Sequence, residues 1–303
     1  MWRKNNQRFR KTSGFLVPTS EPVISASHHA ELKEPVYRIG IAVARLVMKF
    51  QGIRAVVEGT ENIPADGAAV IAVNHTGYMD FIFAGVPAYL RGRRLVRFMT
   101  KKEIFSAPFP VGWVMRAMKH VPVDREAGHD AFEAAVQHCS DGHLVGIFPE
   151  GTISRSFDLK EFKTGAARIA QRSEVPLIPL VVWGSQRFWT KDLPKNLGRK
   201  HLPLWVRVGE PISTEGNPEE VTARLRDRMS EMLAEVRRDY AEEFGPFAGD
   251  EPWLPASIGG SAPTQERADL LDQAEKERRQ AKQARKAEQA QAKAAKKMKE
   301  KKR

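Results

Sequence analysis

The stretch "AAVIAVNHTGYMDF", residues 68–81, decides how this chain folds. Its first half is a run of small and branched apolar side chains, typical of a strand buried on both faces of a parallel sheet. Its second half places His75 five positions before Asp80. On a straight helix these positions lie about 140° apart, so one helix cannot present both on the same face. We therefore expect a turn after the strand to fold Asp80 back toward His75.

Such a pair has a chemical use. An aspartate that accepts a hydrogen bond from one imidazole nitrogen fixes the tautomer and raises the basicity of the other nitrogen. The pair is then a general base that can take a proton from an alcohol. The spacing also occurs by chance, so the rest of the chain has to support this interpretation.

The hydrophobic pattern around this stretch predicts an α/β fold with a largely parallel central sheet flanked by helices. The amphipathic segment 35–50 predicts an N-terminal helix that either packs on the domain or contacts a membrane surface. Further helices are predicted at 81–92, 101–118, 128–142, 162–173 and 219–244, and strands at 53–59, 68–74, 94–100, 120–125, 143–151, 175–184 and 202–212. Ligands of such sheets bind beyond the carboxyl ends of the strands.

Charge divides the chain into three parts. The net charge of +12 comes from the ends, since residues 1–12 contribute +5, residues 264–303 contribute +7, and the remainder is neutral. We predict a disordered basic segment at 1–30, a folded domain at 31–250, and a linker with a basic Ala/Lys-rich tail, helical or disordered, at 251–303. The tail could bind anionic lipid, bind nucleic acid, or only aid solubility.

Composition excludes several classes of protein. The single cysteine, Cys139, rules out an internal disulfide framework. We expect no metal site, because the histidines show no convincing ligand spacing, and no cofactor. No apolar run reaches the roughly 18 residues of a transmembrane helix, and no signal peptide is evident.

Three further blocks lie downstream of the His75 motif, each in or directly after a predicted strand. "HVPVDR" ends in Arg125, "IFPEGTIS" contains Glu150, Gly151 and Thr152, and "VPLIPL" is a further buried strand. Together with "NHTGYMD", these blocks resemble the glycerophospholipid acyltransferase family, specifically the 1-acylglycerol-3-phosphate acyltransferases, over residues 35–240.

The resemblance implies a role for each matching residue. His75 is the base that activates the acceptor hydroxyl, and Asp80 orients it. Arg125 binds the acceptor's phosphate, while Glu150, Gly151 and Thr152 shape the acceptor site together with Asn74, which could alternatively only cap the following helix. Glu150 either accepts a hydrogen bond from the glycerol hydroxyl or holds Arg125. The family's "FPEGTRS" block here has Ile153 in place of arginine, for which Arg155, Lys163, Lys101 or Lys102 could compensate.

The resemblance also implies the reaction. We expect transfer of an acyl group from acyl-CoA or acyl carrier protein to 1-acylglycerol 3-phosphate, giving phosphatidate in phospholipid biosynthesis. The expected partners are lysophospholipid, acyl thioester and an anionic membrane surface, with peripheral attachment at the cytoplasmic face; nucleic acid is not favoured. The alternatives are another acceptor, such as glycerol 3-phosphate or another lysolipid, or a non-catalytic lipid- or nucleic-acid-binding protein that acts through its basic tails.

Overall fold

A computed structural model describes residues 8–22, 33–124 and 128–301. Within these ranges the chain forms one nine-stranded sheet and eight α-helices. The strands are β1 Phe9–Thr12, β2 Phe15–Pro18, β3 Arg54–Glu58, β4 Ala69–Val73, β5 Val96–Lys101, β6 Val121–Val123, β7 Leu144–Ile147, β8 Leu177–Trp183 and β9 Pro203–Val208. The helices are α1 Pro35–Gln51, α2 Asp80–Leu90, α3 Lys102–Phe105, α4 Val111–Ala117, α5 Gly128–Ser140, α6 Gly165–Ser173, α7 Pro218–Phe244 and α8 Gln265–Lys301.

The sheet has the strand order β1-β2-β3-β9-β8-β4-β7-β5-β6. Neighbouring strands are parallel except in the pairs β1–β2 and β8–β9. The predicted α/β class with a largely parallel sheet is confirmed, and the predicted internal strands and helices lie within a few residues of the observed ones.

Strand β4 lies in the middle of the sheet, between β8 and β7. All five of its residues are buried, because helices cover both faces. Val70 and Ala72 belong to the core formed with α6 and α7, while Ile71 and Val73 belong to the core on the opposite face, formed with α2. The two cores explain why the opening stretch is apolar at every position rather than at alternate ones.

The prediction of disorder at residues 1–30 is wrong for residues 8–22. Strands β1 and β2 form an antiparallel hairpin, and β2 extends the main sheet by pairing with β3. Phe15 and Val17 are buried against this sheet, and the Glu21 carboxylate accepts hydrogen bonds from the N–H groups of Gly59 and Thr60. Burial of alternate apolar residues in β2 therefore orders this segment, although most of its residues are polar. Residues 1–7 and 23–30 lie outside the described ranges.

The domain boundary predicted at residue 250 is also wrong. Trp253 and Ala262 belong to the same buried core as α6 and α7, and the Arg187 guanidinium lies 4.2 Å from the Trp253 ring centroid. The following helix, α8, begins at Gln265, and Ala268 in its first turn is buried. The segment predicted to be a linker thus packs on the domain and fixes where the basic tail begins.

Helix α1 matches the predicted amphipathic helix, with proline in its first turn. Tyr37 and Met48 are buried on its inner side. Its large outward apolar residues, which are 41% to 67% exposed, are Ile39, Val43, Leu46, Val47 and Phe50. Among the described residues, no helix has both the length and the apolar character that crossing a bilayer requires.

Candidate active site

Three neighbouring strands end at the place where the candidate residues meet. β4 leads into His75, β7 leads into Glu150, and β8 leads into Ser185. These strands are parallel and adjacent in the order β8-β4-β7, so their carboxyl ends lie at one edge of the sheet. This is the edge at which α/β sheets generally bind their ligands.

The turn predicted between His75 and Asp80 is present. Asp80 is the first residue of α2, and its Oδ2 lies 2.9 Å from Nδ1 of His75. The same oxygen accepts hydrogen bonds from the backbone N–H groups of Thr76 at 2.7 Å and Gly77 at 2.8 Å, while Oδ1 accepts one from the Ser185 hydroxyl. The aspartate is completely buried, so these donors replace the water that its charge would otherwise require.

This geometry determines which imidazole nitrogen can act as a base. An ionised carboxylate only accepts hydrogen bonds, so Nδ1 of His75 carries the proton and the lone pair remains on Nε2. The His75 side chain is 20% exposed and therefore within reach of a substrate. Its ring stacks on Phe148, with 4.2 Å between the ring centroids, which restrains its orientation. The arrangement supplies an oriented general base at the edge of the sheet.

Glu150 supports the backbone beneath this base. Its Oε1 accepts the His75 N–H at 2.7 Å, and its Oε2 accepts the Lys160 N–H at 3.1 Å. Burial raises the pKa of the Glu150 carboxyl to about 8, an effect that the two N–H donors partly oppose. The structure thus gives Glu150 a contact that neither sequence hypothesis considered. Arg125, which one of them paired with Glu150, lies outside the described residues.

The prediction that Asn74 binds substrate is corrected by its position. Asn74 is completely buried, its side-chain N–H donates to the Val182 carbonyl at 3.1 Å, and its Oδ1 accepts the Val182 N–H at 2.7 Å. The residue does not cap α2 either, because the N-cap position belongs to Met79. Asn74 instead connects the end of β4 to β8 and so helps to position His75.

Gly151 and Thr152 form the turn after Glu150. Gly151 has a φ of +68°, a left-handed conformation that favours glycine, and its N–H donates to the Phe148 carbonyl. The Thr152 hydroxyl accepts a hydrogen bond from Lys191 Nζ at 3.1 Å. Both residues lie beside the His75–Asp80 pair in the fold, and their contact with substrate stays a prediction.

The position of the family's missing arginine is filled by a buried side chain. Ile153 is only 4% exposed, so it contributes to the core. Arg155, one of the residues expected to compensate, is paired with Asp192, Asp272 and Glu275. Lys102, another of them, is paired with Asp124.

Sequence reasoning missed Ser185 and Lys191. Both follow β8 in a loop without a recognisable motif. Ser185 lies 105 positions along the chain from its partner Asp80, and Lys191 lies 39 positions from its partner Thr152. Finding Ser185 requires knowing that β4 and β8 are neighbouring parallel strands, and no local signal in the sequence shows this.

The histidines also differ from expectation. Donor atoms of His138, Asp141 and His143 lie within 4.8 Å of one another, although the sequence analysis found no ligand spacing there. This group precedes the amino end of β7, opposite the edge that holds His75, and is not part of the active site. The absence of a metal from the reaction stays a prediction.

Comparisons with known proteins agree with this description. The family model described as Acyltransferase matches residues 54–183, which include His75, Asp80 and Glu150. The 1-acyl-sn-glycerol-3-phosphate acyltransferase of Bacillus subtilis is 32% identical over 178 residues, which are 58% of this chain and 82% of that protein. The alpha form from Bos taurus is 30% identical over 213 residues, covering 69% and 71%. The crystal structure of the Thermotoga maritima 1-acyl-sn-glycerophosphate acyltransferase, at 23% identity, has the same fold with a TM-score of 0.50 over 69% of this chain and 86% of that chain.

An α/β sheet with an Asp-oriented histidine at its carboxyl edge, matched by the acyltransferase model, defines the class as acyltransferase. Within that class, the relatives identify the family: the chain belongs to the 1-acyl-sn-glycerol-3-phosphate acyltransferases. The family resemblance inferred from the four sequence blocks is confirmed.

Proposed function

We propose that this protein transfers a fatty acyl group from an acyl thioester to the free hydroxyl of 1-acylglycerol 3-phosphate, producing phosphatidate. The observation that carries the proposal is the hydrogen bond between His75 and the buried Asp80, which leaves Nε2 of a partly exposed imidazole free to accept a proton. The names of the family members support the choice of acceptor. An accessible imidazole oriented by a buried aspartate argues against a protein that acts only through its basic tails.

In this mechanism, Nε2 of His75 removes the proton from the acceptor hydroxyl as the oxygen attacks the thioester carbonyl. The tetrahedral intermediate collapses, the carbon–sulfur bond breaks, and the proton on His75 passes to the departing thiolate. Asp80 stabilises the imidazolium that forms between these steps. No protein nucleophile is needed. Cys139 is buried, and burial raises the pKa of its thiol to about 11, so it is not a nucleophile at neutral pH.

An apolar cavity supports a substrate with a fatty chain. It has a volume of about 230 Å³ and lies between α1, α2 and α4, beside Phe81, the residue that follows Asp80. Apolar residues that line it include Ile41, Ala44, Met48, Val86, Val114 and Met118. We assign this cavity to an acyl chain, whose burial is favourable by about 0.8 kcal/mol per methylene.

The outer face of α1 supports attachment to the membrane surface. Leu46 and Phe50 are each 67% exposed on this face, and Phe109 and Trp113 are exposed around the nearby α4. Exposed aromatic and aliphatic side chains on an amphipathic helix insert into the headgroup region of a bilayer. We place the protein at the cytoplasmic face, where anionic lipids would also attract the basic end of α8.

The decisive experiment measures thiol release from acyl-CoA and from acyl carrier protein thioesters by the purified protein. Release should depend on added lysophosphatidate, and His75→Ala should slow it by about 10²–10⁴-fold. Asp80→Asn should lower kcat with little change in KM, because it misplaces the proton on His75. His129→Ala, at an exposed position on α5, is the matched control and should keep full activity.

A panel of acceptors completes this test. Faster turnover of glycerol 3-phosphate or of another lysolipid than of lysophosphatidate would reassign the acceptor. Wild-type rates in the His75→Ala protein would refute the assigned base.

A further inference from the structure

Three basic side chains converge beside the active site without being used in the mechanism. Arg155, Lys160 and Lys191 are 8%, 15% and 9% exposed. Lys191 Nζ donates to the Thr152 hydroxyl at 3.1 Å, and the backbone N–H of Lys160 donates to Glu150, which holds His75. We call Arg155, Lys160 and Lys191 the cation cluster. It adjoins the turn after Glu150, for which the family resemblance implies a role in acceptor binding.

Two carboxylates from the far end of the chain fill this cluster. Asp272 and Glu275 are three residues apart and so lie on the same face of α8. Arg155 donates through Nη1 to Asp272 and through Nη2 to Glu275 at 2.9 Å. Lys191 Nζ lies 3.0 Å from Asp272 Oδ1 and 3.3 Å from Glu275 Oε2, and Lys160 is also paired with Asp272.

The cluster requires an anion at this place. Three like charges held in a poorly hydrated site repel one another and lose hydration, so they are stable only with negative partners. Burial, followed by the charge of Arg155, lowers the pKa of Lys191 to about 8. A phosphate monoester could replace the two carboxylates, because it carries up to two negative charges and several oxygen acceptors in one group.

We propose that the cation cluster is a binding site for a phosphate monoester, and that Asp272 and Glu275 occupy it as an intramolecular competitor. This proposal rests on the proposed function, since it gives the site a ligand chemistry that the acceptor possesses. Release of the first turns of α8 then opens the cluster to the phosphate of the acceptor or of a membrane lipid.

The charge pattern of α8 supplies a means of release. Residues 265–275 carry four acidic and one basic side chains, a net charge of −3, whereas residues 276–303 carry thirteen basic and three acidic ones, a net charge of +10. An anionic bilayer attracts such a basic segment electrostatically. Because α8 is one helix from Gln265 to Lys301, binding of its basic end pulls on the acidic turns that fill the cluster.

The test compares the Asp272→Asn/Glu275→Gln double variant with the wild-type protein in neutral vesicles. Removing the competitor should lower KM for lysophosphatidate by at least about fivefold, the lower end of couplings typical of linked sites, with kcat unchanged. A monoacylglycerol acceptor, which lacks phosphate, should show no such gain. Glu277→Gln/Glu288→Gln is the matched control, because it removes the same charge from exposed positions on α8 outside the cluster.

Vesicle composition separates the two sources of phosphate. A gain that requires a phosphate on the acceptor identifies the acceptor as the ligand. This gain should shrink in anionic vesicles, where the bilayer already releases α8 in the wild-type protein. A gain with every acceptor that appears only in anionic vesicles identifies a bilayer headgroup. A gain with every acceptor in every vesicle would overturn the anion site, as would an unchanged KM in every vesicle or a fall in kcat, which indicates that α8 only supports the turn after Glu150.

A binding measurement makes the result independent of turnover. Inorganic phosphate should bind to the Asp272→Asn/Glu275→Gln protein in calorimetric titration and raise its Tm, but should do neither with the wild-type protein or the control variant. Equal binding to all three proteins, or binding to none, would overturn the proposal. If the wild-type protein fails to acylate lysophosphatidate, the proposed function fails, and this titration still decides whether the anion site exists.

Discussion

Replacing Glu150 by glutamine should change how the stability of the protein depends on pH. In the folded protein, burial raises the pKa of this carboxyl from 4.5 to about 8, so that it holds its proton over a range in which the unfolded chain has lost it. A raised folded pKa stabilises the protein fully below pH 4.5, and this contribution is lost as pH rises toward 8. The free energy of unfolding should therefore fall with pH over this window.

The size of the effect follows from the two pKa values. One proton bound in the folded state and not in the unfolded state gives a slope of about −1.4 kcal/mol per pH unit. Between pH 5 and pH 7 the wild-type protein should lose about 2.5 kcal/mol through Glu150 alone. Glutamine cannot titrate, so the Glu150→Gln protein should lack this loss. It should be less stable at pH 5, by about 1–3 kcal/mol, because an amide cannot accept both the His75 and Lys160 N–H groups.

Urea unfolding at pH 5, 6 and 7 measures this difference. The stability gap between wild type and Glu150→Gln should be largest at pH 5 and should shrink by about 2.5 kcal/mol at pH 7. Glu161→Gln, at an exposed position, controls for the loss of a carboxylate and should leave the pH dependence of the wild type intact. A gap that stays constant across this range would refute the argument that Glu150 is held protonated by burial.

Three further changes test other parts of the structure. Asn74→Ala should reduce the free energy of unfolding in urea by about 1–3 kcal/mol, because it leaves backbone groups of Val182 buried without partners, and wild-type stability would contradict this role. Gly85→Leu should shift acyl-donor preference toward shorter chains, measured as kcat/KM over a series of donors. Gly85 lines the cavity and a Cβ added there meets no other atom within 4 Å, so the leucine side chain can occupy cavity space. An unchanged preference would place the acyl chain elsewhere. Leu46→Glu/Phe50→Glu should lower the affinity for anionic vesicles, measured by co-sedimentation, at least about tenfold, because each apolar side chain contributes about 1.5–3 kcal/mol when buried. Unchanged co-sedimentation would exclude α1 as the attachment surface.

Local patterns in the chain were enough to predict the central α/β architecture. The apolar run at 69–73 indicated a doubly buried strand, and the spacing of apolar residues at 35–50 indicated an amphipathic helix. The same reasoning failed at residues 8–22 and 251–264. Their polar or proline-containing composition resembles that of a linker, and only pairing with β3 or packing beside Trp253 makes them ordered. Such stabilisation comes from distant segments, so a local pattern does not reveal it.

The candidate site was likewise predicted only in part from the sequence. The turn between His75 and Asp80 followed from their spacing, because five residues on one helix could not bring them together. Asn74 was misassigned, since its residue type suits a substrate, a cap or a backbone contact equally well, and its burial beside β8 decides among these. The hydroxyl of Ser185 on Asp80 could not be predicted, because it depends on the order of strands in the sheet.

The sequence by itself determined the order of strands and helices along the chain and the turn that joins His75 to Asp80, because these depend on the periodicity and spacing of neighbouring residues. The family followed from the resemblance of four short motif blocks, which the chain also carries locally. Only the tertiary structure decided that Glu150 supports the backbone of His75, and that the acidic turns of α8 fill the cation cluster. Hydrogen bonds and ion pairs between residues 75 to 120 positions apart depend on which surfaces meet when the sheet and its helices pack.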